Sequence, residues 1–270
     1  MKTVELSGVS ETMLLPLWFK AAESKHCNPI IKDTKAVNIV ADLDYDFSKF
    51  KSAWKSQVGV GVRTMLFDKA VNRFLNQHEE TVVINLGAGL DTRYERLDKS
   101  RIALWYDLDL PEAIALRREF FAETPQRRFI AKSMLDFSWL DDIKVHNRPV
   151  LIIAEGLFMY FPEQQVKAVF NRMITFFPGA EILLETLTPF LVGKSRQHDC
   201  VKHIKSNAEF NWGVANPRDL EAWDRRLVYL DNWVYSDYHK RRWKWIGLLT
   251  KVPALRKKFA CRLIHMKVNS

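Results

Sequence analysis

Apolar side chains recur at helical spacing through the first part of the chain. One set runs from Leu14 to Ala21, and a longer one runs from Val62 to Leu75. In both sets the apolar positions lie three and four residues apart, as they do on one face of an α-helix. The pattern predicts that residues 1–76 are helical and form a cap on the rest of the molecule.

After this region the pattern changes to short apolar runs. Thr81–Leu86 (TVVINL) is rich in β-branched residues and stops at Gly87, which is typical of a strand buried on both faces. Helices are predicted between the strands, at Pro111–Glu123 and Pro162–Phe176, each opening on a proline. The other strands of this alternating series are predicted at Ala103–Asp107, Arg128–Ala131, Val150–Ala154 and Glu181–Thr186.

Strands that alternate with helices predict a doubly wound α/β fold with a mostly parallel sheet. Two last strands, Leu227–Val234 and Cys261–Val268, bring the predicted sheet to seven, and the basic, Trp-rich stretch between them is predicted to be helical. A chain of 270 residues suits one large domain. We divide it into a helical cap (1–76), a ligand-binding core (77–187), a substrate lid (188–226) and a final strand pair with its insertion (227–270).

Composition restricts the class of protein. Apolar residues make up 47% and charged residues 27% of the chain, as in ordinary globular proteins. We identify no membrane span and no signal peptide. The three cysteines, Cys27, Cys200 and Cys261, form neither a metal-ligand spacing nor a disulfide framework. We therefore expect no metal and a cytoplasmic location.

The formal net charge of +9 is unevenly distributed. The mixture of cations and tryptophans from Tyr238 to Arg262 is one that can lie on an anionic surface, so a non-enzymatic binding module is an alternative. The strand that follows has to return to the sheet, which favours an insertion packed on the domain with solvated cations. We expect no nucleic-acid partner and leave surface association with a membrane and the oligomeric state open. The cations concerned are Lys240, Arg241, Arg242, Lys244, Lys251, Arg256, Lys257, Lys258 and Arg262.

A glycine pair follows the first predicted strand. Gly87-Ala88-Gly89 permits a tight turn and a close approach of ligand to backbone. Twenty residues after Gly89, Asp109 stands at the end of the second strand, followed by Leu110. An acid in this position can hold a ribose diol by hydrogen bonds. The combination predicts a nucleotide-type site.

The charge near this loop decides between cofactors. The third glycine of a dinucleotide fingerprint would fall at position 92, which is threonine, and Asp91 stands where a pyrophosphate would lie. A carboxylate there repels a diphosphate. S-adenosylmethionine has no phosphate and carries a sulfonium and an ammonium. The sequence therefore favours it over NAD, and an NAD-dependent oxidoreductase remains the alternative.

Two further acids are predicted to reach the same site. Asp136 follows the third strand, where it can accept from an adenine amino group while Phe137 covers the ring; a turn cap is an equally good interpretation of Asp136. Glu155 ends the fourth strand, directly after an apolar run, and a lone buried carboxylate there would be costly. Strand ends converge on the crevice in which open α/β sheets bind ligands.

Four segments of the chain carry a family resemblance. VVINLGAGLDTRYERL, WYDLDLPEAIALRREFF, SMLDFSWLDDI and AEGLFMYFPEQQV resemble the leucine carboxyl methyltransferase family, and especially its bacterial branch of tetracenomycin-type polyketide O-methyltransferases. The similarity extends from about Leu15 to Glu185 and, more loosely, to the end. The runs GAGLDTR and EGLFMY are specific to this family.

The resemblance implies a class I methyltransferase fold, S-adenosylmethionine as cofactor, and roles at matching positions. Arg63 matches the arginine that binds the methionine carboxylate, for which a guanidinium is a good partner, and Lys20 is the nearest candidate for a lysine with the same task. Tyr160 matches an aromatic position on the substrate side, although a core tyrosine is an equal alternative. The other matches are Gly87 and Gly89 in the cofactor loop, Asp109 at the ribose, Asp136 at the adenine, and Glu155 near the amino end of the cofactor.

The acceptor is expected to be a small carboxylate or hydroxyl compound, and a protein C-terminal carboxylate is the alternative. An ionised carboxylate needs no general base, whereas a phenol with a pKa near ~10 does. The sequence shows no base paired with an orienting group, which favours a carboxylate. His198 and His203 are interpreted as surface residues. A group of aromatic residues is assigned to the core in preference to a substrate pocket: Trp18, Trp54, Trp212, Phe190 and Phe210.

Overall fold

The computed structural model describes residues 2–3, 8–197, 199–200, 208–258 and 260–270. Its main sheet has seven strands in the order β5-β4-β3-β6-β7-β9-β8. Strands β3 to β7 are parallel, and β9 runs antiparallel to both β7 and β8. These strands are β3 (Thr81–Leu86), β4 (Ile102–Asp109), β5 (Arg127–Ala131), β6 (Val150–Ala154), β7 (Glu181–Thr186), β8 (Leu227–Val234) and β9 (Arg262–Val268).

The predicted α/β fold with a mostly parallel, seven-stranded sheet is confirmed. The strand order reverses between β3 and β6, so the carboxyl ends of these two strands flank a topological switch point. In open α/β sheets this is the position at which ligands bind.

The central strands are buried on both faces. Successive residues of β6 show the alternation, since Ile152 belongs to the core on one side of the sheet and Ile153 to the core on the other. Phe170 packs in the first core and Phe67 in the second, and all four side chains are fully buried. Helices on both faces therefore fix the strand ends that form the site.

The helices are α1 (Leu14–Ser24), α2 (Thr34–Asp42), α3 (Trp54–Gln77), α4 (Arg93–Arg96), α5 (Pro111–Arg118), α6 (Trp139–Asp142), α7 (Glu163–Phe176), α8 (Trp245–Leu249) and α9 (Pro253–Lys258). Most element ends agree with the predicted ones within one or two residues. Helix α5 is shorter than predicted, because the chain leaves the helix after Arg118 to bury Phe121 and to let Glu123 accept the backbone N–H of Phe129.

The region before β3 is mainly helical, as expected, but it also holds a short parallel pair, β1 (Lys2–Thr3) with β2 (Leu43–Asp44). Two-residue strands have no periodicity that sequence reasoning could detect. Helix α3 packs on the sheet, and α1 packs on α3. This brings side chains of α1 and α3 to the carboxyl ends of the strands.

Candidate active site

A cavity of about 700 Å³ lies at the carboxyl ends of β3, β4, β6 and β7. Side chains of α1 and α3 also line it, as do Phe190, Lys194 and Cys200. A third part of the wall comes from the chain between β8 and β9, including Trp243 and Trp245. The cavity is of the size of ordinary small-molecule sites.

The glycine loop after β3 forms one wall. Gly87 and Gly89 adopt positive φ angles of 65° and 43°. Residues with a Cβ rarely adopt such angles. A Cβ at Gly87 would come within 2.7 Å of Leu157, and one at Gly89 within 2.9 Å of Met13. Glycine is therefore favoured at both positions by conformation, and at Gly89 also by space, because the Met13 Cβ cannot move without its backbone.

Asp109, at the end of β4, faces this loop. Its carboxylate accepts the backbone N–H of Gly89 at 2.6 Å and that of Leu110 at 2.7 Å. Burial raises the pKa of Asp109, and the two N–H donors oppose that effect only in part. Asp109, Leu110 and Ala88, which the sequence analysis assigned to a cofactor site, all line the cavity.

Arg63 of α3 lies between two buried acids at the ends of neighbouring strands. Its Nε is 2.7 Å from Glu155 Oε1, and its Nη1 is 3.0 Å from Glu185 Oε2. Burial alone would lower the pKa of Arg63, but the charges of Glu185 and Glu155 raise it above its ordinary value. Arg63 is therefore a permanent cation in the cavity wall.

The two acids differ in their cation partners. Glu155 also pairs with Arg93, and these two arginines hold its pKa below the usual value despite burial. For Glu185, burial outweighs the opposing charge of Arg63, and its pKa is raised. The Tyr235 hydroxyl lies beside Glu185, and burial followed by that negative charge raises the tyrosine pKa well above normal.

Asp91 is held by two cations. Arg93 Nη1 lies 2.8 Å from Asp91 Oδ2, and Lys20 Nζ of α1 lies 3.2 Å from Asp91 Oδ1. Their charges lower the pKa of Asp91 although burial would raise it. The sequence argument treated Asp91 as a negative charge facing the ligand; in the structure most of that charge is matched within the protein.

The structure does not bring Asp136 and Phe137 to the cavity wall. Asp136 is exposed and accepts the backbone N–H of Ser138 at 3.1 Å, which is the turn-cap interpretation. Phe137 is half-buried against the core, with the Arg172 guanidinium over its ring. The chain turns directly after β5, so that Ser133 and Met134, three residues earlier, line the cavity instead.

Tyr160 lines the cavity, and its ring lies 5.7 Å from that of Phe210, which also lines it. Burial raises the pKa of Tyr160 above that of an ordinary tyrosine, so its hydroxyl is neutral. Among the other aromatic residues assigned to the core, Phe190 lines the cavity whereas Trp212 packs in the core. His198 and His203 lie outside the described residues.

The sequence reasoning missed several cavity residues. Glu185 ends β7 as Glu155 ends β6, and this parallel was available from the strand assignment. Ser236 and Cys261 lie in the connection between the antiparallel strands β8 and β9, and no local motif marks them. Behind the cavity wall, Arg93 is fully buried and joins Asp68, Asp91 and Glu155, a role that a lone arginine in the sequence does not reveal.

Within the described ranges, no group of three or more His, Cys, Asp or Glu side chains is arranged to hold a metal ion. In the same part of the chain, no helix is long and apolar enough to cross a bilayer.

Comparison with known proteins places these features in a family. The leucine carboxyl methyltransferase family matches residues 14–174, which include the glycine loop, Asp109 and Glu155. The chain is also 32% identical over 270 residues to the tetracenomycin polyketide synthesis O-methyltransferase TcmP of Streptomyces glaucescens, with 98% of each protein covered. The chain belongs to the leucine carboxyl methyltransferase family.

A fungal relative extends this result. An S-adenosyl-L-methionine-dependent methyltransferase of Gibberella zeae is 28% identical over 275 residues, which cover 92% of this chain and 91% of the relative. This member of the leucine carboxyl methyltransferase family is therefore an S-adenosylmethionine-dependent O-methyltransferase, and the relatives do not favour an NAD-dependent oxidoreductase.

Solved structures agree at the level of the fold. A DUF574 family protein from Streptomyces avermitilis aligns with a TM-score of 0.57 at 9% identity, covering 96% of this chain and 97% of that one. An S-adenosylmethionine-dependent methyltransferase from Anabaena variabilis aligns with a TM-score of 0.52 at 12% identity, covering 82% and 94%. The fold is that of the class I methyltransferases.

Proposed function

We propose that this enzyme methylates a hydroxyl or carboxylate oxygen of a small, largely apolar ring compound of polyketide type. The observation that carries the proposal is the lining of the cavity beyond the cofactor loop. There the wall is formed by aromatic and aliphatic side chains, including Tyr160, Phe190, Phe210 and Trp243. Such a wall suits an apolar ring better than the polar end of a peptide chain.

The residues of the cavity fit S-adenosylmethionine. The two glycines of the loop line the cavity, so a ligand there can approach the backbone closely, and Asp109 keeps acceptor capacity beyond its two backbone bonds. In our proposal Gly87, Ala88, Gly89, Asp109 and Leu110 hold the adenosine. When bound, S-adenosylmethionine supplies a methyl group already activated on a sulfonium.

At the other end of the proposed cofactor site, Arg63 binds the methionine carboxylate and Glu155 lies near the ammonium. The guanidinium is buried in the wall and keeps its charge, as recognition of a carboxylate requires. Lys20 is held by Asp91 and Thr92, so we assign it to the support of the loop. The position of Asp136 gives no support to an adenine contact.

The substrate side offers a proton acceptor. Glu185 lines the cavity, is buried, and pairs with a single cation, whereas Glu155 pairs with two. We propose that the Glu185 carboxylate accepts the proton of a hydroxyl substrate as the oxygen takes the methyl group. A carboxylate substrate would not need this step. Tyr160 is proposed to position the acceptor by its ring and neutral hydroxyl.

The test is an incubation with S-adenosylmethionine and a panel of aromatic hydroxy acids, phenols and aromatic carboxylic acids. Mass spectrometry detects the gain of one methyl group, and mild alkali distinguishes a methyl ester, which is hydrolysed, from a methyl ether, which is not. We expect methylation of ring compounds. Methylation of a protein C-terminus, with no reaction of any ring compound, would contradict the proposal.

We also propose a cytoplasmic location, supported by the three cysteines, Cys27, Cys200 and Cys261, which form no disulfide in the part of the chain that the structure describes. Two of these thiols, Cys200 and Cys261, line the cavity. The division into cap, core, lid and final strand pair remains a proposal, supported by the contribution of each part to the cavity wall.

A further inference from the structure

The connection between β8 and β9 carries exposed apolar side chains. Trp245, Leu248 and Val252 are 54%, 64% and 50% exposed. Together they make up half of the six large apolar residues that are exposed in the described part of the chain. Single exposed apolar residues are normal, but a group within eight residues of one connection is unusual.

The three exposed side chains lie close together along the chain. Trp245 and Leu248 are one turn apart in α8. The chain leaves α8 in tight turns, in which the backbone N–H groups of Lys251 and Val252 bond to the carbonyls of Leu248 and Leu249, so Val252 follows Leu248 within about one turn. Between the exposed side chains, Gly247 and Thr250 are buried against the domain.

Cations surround the apolar side chains. No Asp or Glu follows Asp237 in the sequence. Asp237 pairs with Arg256, and the structure gives the other exposed cations of this stretch no ion pair within the residues it describes. These cations are Lys240, Arg241, Lys244, Lys251, Lys257 and Lys258.

The same face borders the mouth of the cavity. Trp245 and Phe190 both line the cavity and are more than one-third exposed. Lys55 Nζ lies 5.5 Å from the centre of the Trp245 ring, and Lys194 Nζ lies 3.4 Å from that of Phe190. An apolar compound could pass from a surface in contact with this face directly into the cavity.

We propose that the docking face, defined as residues 240–258 together with Phe190, binds the surface of an anionic lipid bilayer. Lysine and arginine attract the anionic headgroups, and tryptophan and aliphatic side chains enter the boundary between headgroups and acyl chains. A bilayer accepts scattered aliphatic side chains without a shaped pocket, whereas nucleic acid offers nothing to Leu248 and Val252. The inference goes beyond methyl transfer and does not depend on the identity of the acceptor.

The experiment is co-sedimentation of the full chain with vesicles of phosphatidylglycerol and phosphatidylcholine, compared with phosphatidylcholine alone. We expect binding to the anionic vesicles, and at least about tenfold weaker partition when salt is raised from about 0.1 M to about 0.5 M. The double variant Leu248→Ser/Val252→Ser is expected to lose at least about tenfold in partition, because two aliphatic side chains no longer enter the bilayer.

The matched control is Phe176→Ser/Leu230→Ser. It removes two apolar side chains that lie outside the docking face and are 44% and 42% exposed. It should bind vesicles like the unaltered chain. Thermal unfolding and S-adenosylhomocysteine binding, measured for both double variants, show that each is folded. Absence of binding to anionic vesicles overturns the proposal, as does equal loss in both double variants or binding unchanged by Leu248→Ser/Val252→Ser. If the unaltered chain did not bind S-adenosylhomocysteine, the proposed function would be overturned, and the proposal of bilayer binding would be unaffected.

Discussion

Replacement of Asp109 by asparagine separates the cofactor role of this residue from its structural role. The carboxylate has about four acceptor positions, and the backbone N–H groups of Gly89 and Leu110 use two of them. The remaining two suit the two hydroxyls of a ribose. The Asp109→Asn side chain keeps one acceptor oxygen, so the variant loses at least one charge-assisted hydrogen bond to the ligand.

A hydrogen bond to a charged group contributes about 1.5–3 kcal/mol, which corresponds to an increase of about 10- to 150-fold in the dissociation constant. Isothermal titration calorimetry with S-adenosylhomocysteine measures this change. Asp136→Asn is the matched control, because Asp136 also accepts a backbone N–H but is exposed and lies away from the cavity. Its dissociation constant should stay within about twofold of that of the unaltered protein.

The pH dependence has a defined sign. The pKa of Asp109 in the folded protein is raised by burial. The contribution of Asp109 to stability is therefore fully present at pH values below the pKa that its carboxyl group has in the unfolded chain. That contribution is lost as pH rises through the pKa of the same group in the folded protein. Asp109→Asn leaves one of the two backbone N–H groups without its acceptor, so it should lower the free energy of unfolding by about 1–3 kcal/mol at neutral pH. Ligand binding by the unaltered protein should weaken as pH falls. Unchanged binding by Asp109→Asn, or a larger loss in Asp136→Asn, would refute the assignment.

Three further predictions concern two residues of the cavity wall, Gly87 and Glu185, and Arg93, which pairs with acids of that wall. Gly87→Ala should lower the free energy of unfolding by at least about 1–2 kcal/mol, because Gly87 has a positive φ, and should weaken S-adenosylhomocysteine binding. The control Gly59→Ala, within α3 and 3.6 Å from its nearest contact, should raise the unfolding midpoint slightly, and equal effects of the two variants in chemical denaturation would count against the loop geometry. Arg93→Met should destabilise by about 3–5 kcal/mol by leaving buried carboxylates without a cation, and a loss below about 1 kcal/mol in the same assay would show that those acids are matched elsewhere. Glu185→Gln should keep its affinity for S-adenosylhomocysteine and should slow methylation of hydroxyl acceptors but not of carboxylate acceptors; an equal loss of rate on both classes would argue for a purely structural role. Because the raised pKa of Glu185 makes its ionised form unfavourable in the folded protein, the variant should also gain stability relative to the unaltered protein as pH rises.

The strands and the cofactor loop were predictable because each has a local signal. Thr81–Leu86 combines β-branched residues with a closing glycine, and the structure has that strand with the same bounds. Glu155 was predicted at the cavity because it directly follows a buried apolar run, where a lone buried carboxylate would be costly in free energy. The resemblance to the family extended these signals to Arg63, whose position on a helix carries no motif of its own.

The remaining features depend on contacts between distant parts of the chain. Asp109 is the last residue of β4, whereas Asp136 lies five residues after the end of β5, and the turn between them directs Asp136 to solvent. The presence of an acid near the end of a strand does not distinguish these two cases. The pairing of Lys20 with Asp91 joins residues 71 positions apart. The participation of Trp243 and Trp245 in the cavity wall depends on how the insertion between β8 and β9 packs against the carboxyl ends of the parallel strands, which residue spacing does not specify.

A crystal structure with S-adenosylhomocysteine tests the central claim most directly, since it locates the ligand relative to both ends of the cavity. The account predicts the ribose hydroxyls within hydrogen-bond distance of the Asp109 carboxylate and the amino-acid carboxylate at the Arg63 guanidinium, with the sulfur facing Tyr160 and Glu185. A ligand bound elsewhere, or one in this cavity with its carboxylate away from Arg63 and its ribose away from Asp109, would contradict it.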